Sequence, residues 1–181
     1  MLLDTPLVDF GAPAPAFSLP DLDGTRHTLE SSMGPNGLLV AFICNHCPYV
    51  KAVIDRLVAD ARELEAAGVN TVAIMPNDYH RVAADSPPQM RLFAERHGMG
   101  FPYLLDEDQS VARAFGAVCT PDFFGYNAAG ELQYRGRIDS ALMGPAQDRV
   151  PELLNGMRLV AETGAGPAEQ DPSMGCSIKW R

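Results

Sequence analysis

An apolar run of strand length, Gly37-Leu-Leu-Val-Ala-Phe-Ile43, and a second expected buried strand, Val69-Asn-Thr-Val-Ala-Ile-Met75, bracket one amphipathic helical segment. Within it Val50, Val53, Ile54, Leu57, Val58, Ala61 and Leu64 recur at helical spacing from Pro48 to Ala67, and Gly68 stops the pattern. The near-continuous apolarity of the first run marks a strand buried on both faces. A strand, a helix and a second strand in this order need a crossover, so the two strands pair in parallel.

The flanking sequence fixes the rest of the plan. Ala16–Leu19 and His27–Leu29 flank a turn near Asp23-Gly24 and predict an N-terminal β-hairpin. A polar loop runs from Pro76 to Pro88, a helix fits 88–97 with Gly98 as its stop, and residues 101–105 form a short extended piece. A short helix fits 108–115, with Asp106-Glu107-Asp108 favouring its N-terminus. Phe123–Tyr126 and Leu132–Arg137 predict a second hairpin around Asn127–Gly130, and a last helix is expected at about 147–162. The class is α/β, a mixed central sheet with helices on both faces. The expected organisation is one domain, residues 1–165, and a Gly- and Pro-rich C-terminal arm, 166–181. The apolar end of that arm, Cys176-Ser-Ile178-Lys-Trp180, predicts docking on the domain.

At the end of the first apolar run stands Cys44-Asn45-His46-Cys47-Pro48. Two thiols at this spacing beside a helix start can close a disulfide, and the positive end of the helix can hold one as a thiolate. Cys44 and Cys47 are therefore the candidate catalytic pair. A charged His46 between them would stabilise a thiolate and make the disulfide more oxidising. Asn45 is its neighbour in the same turn. Cys119 and Cys176 stand alone in sequence and are candidate additional thiols; buried packing is the plainer reading of both. Four cysteines in 181 residues is too few for a disulfide scaffold. They also lack the second closely spaced pair that a zinc site would use, so neither metal nor cofactor is expected.

Which thiol attacks depends on the helix start. If Cys44 is the N-cap, it is the exposed nucleophile and Cys47 resolves; this is the preferred expectation. If Pro48 takes the first helical position, where its missing N–H costs nothing, Cys47 becomes the N-cap and the better placed thiolate.

Three pieces of sequence carry a family resemblance. They are Gly11-Ala-Pro13-Ala-Pro15-Ala-Phe17-Ser-Leu19, the Cys44–Cys47 motif at a strand-to-helix junction, and Val118-Cys119-Thr120-Pro121-Asp122-Phe123-Phe124 followed by Gly130–Asp139. Together they resemble the thioredoxin fold and its peroxiredoxin-like (alkyl hydroperoxide reductase/thiol-specific antioxidant) subgroup. The likeness spans roughly residues 8–165. It implies that Thr120-Pro121 is a cis-proline loop lying against the active-site thiols, with a backbone edge able to pair with an extended substrate. It also implies that Cys119 lies near the pair. The sequence departs from a peroxiredoxin motif: with Cys47 in the reacting place, Cys44 stands where that motif has Thr, and Thr120 stands where it has Arg. Both groups that would polarise a peroxide are missing.

The leading expectation is a thiol–disulfide oxidoreductase. A thiol peroxidase with Cys47 as the reacting thiol, and a metal-binding or redox-sensing protein without turnover, are the alternatives. The implied partners are a protein or small-molecule disulfide, or a peroxide, with a thiol reductant. A net charge of −9 argues against nucleic acid and anionic membrane. No stretch reaches the ~18 apolar residues of a membrane span, and the N-terminus lacks a signal-peptide pattern. The expected compartment is cytoplasmic and the expected state a monomer or homodimer.

Overall fold

A computed structural model describes residues 1–6 and 8–181. In chain order the elements are β1 (Leu2–Asp4), β2 (Ser18–Pro20), β3 (Arg26–Thr28), α1 (Leu29–Ser32), β4 (Gly37–Phe42), α2 (Pro48–Ala66), β5 (Val69–Met75), α3 (Pro87–His97), β6 (Tyr103–Leu105), α4 (Ser110–Phe115), β7 (Cys119–Thr120), β8 (Asp122–Tyr126), β9 (Leu132–Tyr134), α5 (Glu152–Thr163) and β10 (Met174–Ser177). A 3-10 turn, Ala83–Asp85, precedes α3.

The central sheet has the order β6-β5-β4-β8-β9. β4 pairs parallel with β5 and antiparallel with β8, so the sheet is mixed. Alternation along β4 builds two cores. Leu39, Ala41 and Ile43 join the layer with α2, α3 and α5. Leu38, Val40 and Phe42 face the opposite layer with Val111, Ala112 and Phe115 of α4. Strand period 2 thus explains why the whole run is apolar: each face has its own helices to bury. Every large side chain so buried contributes about 1.5–3 kcal/mol. After α2 the chain reverses through Gly68 at φ +81°, a left-handed turn that glycine adopts without steric cost. The result is the thioredoxin-like α/β plan.

Two boundaries differ from the sequence reading. α5 begins at Glu152, not near 147, because Pro151 caps it and disfavours helical backbone in the residue before it. Residues 141–150 instead form turns, with Arg149 Nη1 bonded to Asp60 (2.8 Å) and Asp139 (3.1 Å). β9 stops at Tyr134 because the next backbone donors turn to the tail. Arg135 N–H donates to Gln170 Oε1 at 2.8 Å, and Arg137 N–H to the Asp171 carbonyl at 2.8 Å.

A second sheet has no counterpart in the sequence reading. β10 lies between β1 and β7, antiparallel to both. The C-terminal segment is thus hydrogen-bonded to the loop of Thr120 and Pro121, with Ile178 buried beyond it.

Candidate active site

β4 delivers Cys44 to the carboxyl edge of the sheet, and α2 begins four residues later. Cys47 is the N-cap of α2 and Pro48 its first residue. The preferred expectation, Cys44 at the helix N-cap and exposed, is therefore not met. Proline's fixed φ suits the first helical position, so the helix cannot start at the earlier cysteine. Both thiols are fully buried, at 0 % exposure, and all four cysteines are free.

The Thr120–Pro121 peptide is cis. Thr120 meets both thiols: its Oγ1 is 3.3 Å from Cys44 Sγ, and its carbonyl oxygen accepts from Cys47 Sγ at 3.3 Å. The edge of Thr120 is not open to an extended substrate, contrary to expectation. β10 fills it, with Cys176 opposite Thr120 and Ser177 opposite Cys119.

Donors converge on Cys47. The Cys44 thiol comes first, then the Cys176 thiol, the Val50 amide in the first helical turn and the Cys176 amide. Burial and the Thr120 carbonyl favour the neutral thiol, but one acceptor is outweighed by this set. The Cys47 thiol is held down at about 4. Cys44 moves the opposite way, well above the ordinary thiol value. Cys47 itself is the main cause, followed by burial and the negative charge of Asp85. Cys176 is pushed up to about 11, first by burial and then by Cys47. The pair is thus polarised into one thiolate and one thiol that holds its proton. Cys119 is buried, raised by burial, and donates to the Pro121 carbonyl at 3.5 Å. It is packed as filler.

The sequence reading missed Asp85. This fully buried carboxylate accepts from the Asn45 amide (2.8 Å) and Asn77 Nδ2 (2.9 Å), and is 2.7 Å from His46 Nδ1. Burial alone would raise it; His46, Asn77 and Asn45 outweigh burial and hold it below the ordinary carboxylate range. Asn45 is fixed in turn by Tyr103 Oη, which donates to its Oδ1 at 2.8 Å, and by the Ala84 carbonyl at 3.1 Å. Thirty-eight positions of chain separate Asp85 from Cys47. The one available signal was an acidic residue in a loop that must pass the carboxyl edge of the sheet.

One donor atom from each of Cys44, His46 and Asp85 lies within 4.8 Å of the others. A metal held by all three would displace hydrogen bonds that already engage both Asp85 oxygens. The set instead fixes the turn between the thiols, with Asp85 orienting the His46 ring through Nδ1. A largely apolar cavity of about 260 Å³ lies between Tyr49, Val53, Pro121, Phe123 and Met174, with Arg137 and Asp139 also in its wall.

Residues 10–135 match the model of the AhpC/TSA family. The chain belongs to that family. Among AhpC/TSA relatives, peroxiredoxin Bcp of Escherichia coli K12 is 31 % identical over 112 residues, covering 62 % of this chain and 67 % of Bcp. The thiol-disulfide oxidoreductase ResA of Halalkalibacterium halodurans is 26 % identical over 131 residues, 71 % of this chain and 69 % of ResA. A crystal structure of an uncharacterized conserved protein from Geobacillus kaustophilus is 37 % identical. It superposes with a TM-score of 0.94 over 100 % of this chain and 97 % of that one. The AhpC/TSA protein is thus similar to a peroxiredoxin and to a thiol-disulfide oxidoreductase alike, which makes a thioredoxin-like redox function the common ground. Among the described residues, no helix is long and apolar enough to cross a membrane.

Proposed function

We propose that this AhpC/TSA protein is a thiol–disulfide oxidoreductase in which Cys47 is the reacting thiolate and Cys44 the resolving thiol. The observation that carries the reading is the pairing of Cys47 at the α2 N-cap with a thiol, Cys44, at the place where peroxide chemistry would want a hydroxyl. Cys47 attacks a substrate disulfide and forms a mixed disulfide. Cys44 then passes its proton toward the His46–Asp85 pair, attacks Cys47 Sγ and releases the second substrate thiol. An external dithiol returns the pair to the reduced state.

Peroxide reduction at Cys47 is the second reading, favoured by its position at the N-cap. Among the described residues, no arginine is bonded to either thiol. Both buried arginines are committed elsewhere, Arg56 to Asp139 at 2.9 Å and Arg135 to Asp122 at 3.0 Å. Turnover of Ellman's aromatic disulfide with dithiothreitol, set beside consumption of hydrogen peroxide, separates the two. The expected result is disulfide turnover abolished by Cys47→Ser, with peroxide consumed no faster than by dithiothreitol alone. Rapid Cys47-dependent peroxide consumption without disulfide turnover would refute the assignment.

A further inference from the structure

The buried pair poses a problem of access. Neither Cys44 nor Cys47 has exposed surface, and the edge of the cis-proline loop is closed by the chain's own β10. β10 is held firmly. Ser173 Oγ donates to the Pro121 carbonyl at 2.8 Å, and Lys179 N–H to Asn77 Oδ1 at 2.9 Å. The Asp78 amide donates to the Lys179 carbonyl at 2.9 Å. The geometry that a bound substrate strand would adopt is therefore already made within the chain, and the residue opposite Thr120 in that strand is a cysteine. Cys176 is partly exposed and packs against the core cluster that contains Cys44 and Cys47.

We propose that Cys176 is a third redox thiol of this site, forming a disulfide with Cys47 and carrying electrons between the buried Cys44–Cys47 pair and external thiols or disulfides. The proposal rests on the disulfide-exchange reading above and moves the first attack on the external disulfide from Cys47 to Cys176. In the oxidising direction, Cys176 attacks an external disulfide and releases one substrate thiol, leaving a mixed disulfide on Cys176. Cys47 thiolate attacks the Cys176 sulfur, releases the second substrate thiol and forms the Cys47–Cys176 disulfide. Cys44 then attacks the Cys47 sulfur, and Cys176 leaves as a thiol. One external disulfide is reduced to two thiols, and the Cys44–Cys47 pair is oxidised by the same two electrons. The reverse sequence serves reduction of the pair. There an external thiol attacks the Cys176 sulfur and expels Cys47, the lowest of the three thiols in pKa and hence the best leaving group.

Cys44→Ser isolates the step. The reduced full-length variant is treated with one equivalent of Ellman's disulfide and mapped by peptide mass spectrometry. The expected result is release of two equivalents of the aromatic thiol and a peptide pair joined through Cys47 and Cys176. Release of one equivalent with the aryl group retained on Cys47 or Cys176 would overturn the proposal. In a parallel arm, Cys176→Ser should lower turnover of the wild-type pair by roughly tenfold or more. Wild-type turnover in Cys176→Ser, with none in Cys47→Ser, overturns the relay and leaves the exchange reading standing. Cys47-independent turnover in the wild type overturns the exchange reading itself, while the peptide map still decides whether Cys47 and Cys176 bond.

Discussion

Replacing Cys44 by Ala removes the first of the donors that hold Cys47 as a thiolate. A hydrogen bond to a charged group contributes about 1.5–3 kcal/mol, and one pH unit of midpoint corresponds to about 1.4 kcal/mol. The Cys47 midpoint should therefore rise from about 4 by roughly one to two pH units. It should not return to the ordinary value of 9.0, because the Cys176 thiol, the Val50 amide and the Cys176 amide remain. The assay is the far-ultraviolet absorbance of thiolate across a pH titration of the reduced protein, with Cys47→Ser as the blank. A consequence for stability has a fixed sign. Between about 4 and 9.0 the unfolded chain binds one proton at this thiol that the folded chain does not. Stability thus rises with pH across that window, by at most about 1.4 kcal/mol per pH unit, and the contribution is lost as pH falls through the folded midpoint. The raised thiols Cys44 and Cys176 act only above their ordinary value and leave this window untouched. A wild-type step at or above 9.0, or a Cys44→Ala midpoint equal to that of the wild type, would refute the reasoning.

Gly175→Ala should loosen β10, because a Cβ there would overlap the Thr120 carbonyl. Alkylation of Cys47 by iodoacetamide at neutral pH should accelerate while the far-ultraviolet circular dichroism of the domain is kept; an unchanged rate would show that β10 does not gate access. Asp85→Asn should cost about 1–3 kcal/mol in urea unfolding, since three donors lose their charged acceptor. The same variant should slow resolution at Cys44 and change the pH profile of turnover; a profile superposing on the wild type would remove the His46–Asp85 pair from proton transfer.

Much of this molecule was legible from local pattern. The run at 37–43 is apolar throughout because a strand buried on two faces leaves no polar position, and α2 announces itself by its period and by Gly68. The last helix starts later than its apolar period predicts, because that period does not register that Pro151 fixes a boundary. Asp85 was invisible for another reason. Its role comes from a loop folding back over the turn between the thiols, and nothing in the identity of neighbouring residues encodes where that loop returns. The same holds for Asn77, whose amide bonds Asp85 while its carbonyl oxygen accepts from Lys179.

The helix start and the C-terminal strand together alter what the Cys44–Cys47 spacing means. With Pro48 first in α2, the thiolate moves to the inner end of the motif, and Cys44 lies behind it with no exposed surface. Such a pair cannot be approached as an exposed N-cap cysteine could be. The strand that covers it brings its own thiol to Cys47 and its own amide to the same sulfur. Covering and stabilising are then one act: the segment that shuts out an extended peptide also supplies donors that keep Cys47 ionised. Displacing β10 should consequently have two opposed effects on the same sulfur. It gains solvent access, and it loses donors, so its midpoint climbs. In Gly175→Ala the faster alkylation at neutral pH should therefore be accompanied by a higher Cys47 midpoint in the thiolate titration. Faster labelling with an unmoved midpoint would mean that Cys44 and the α2 terminus alone hold the charge.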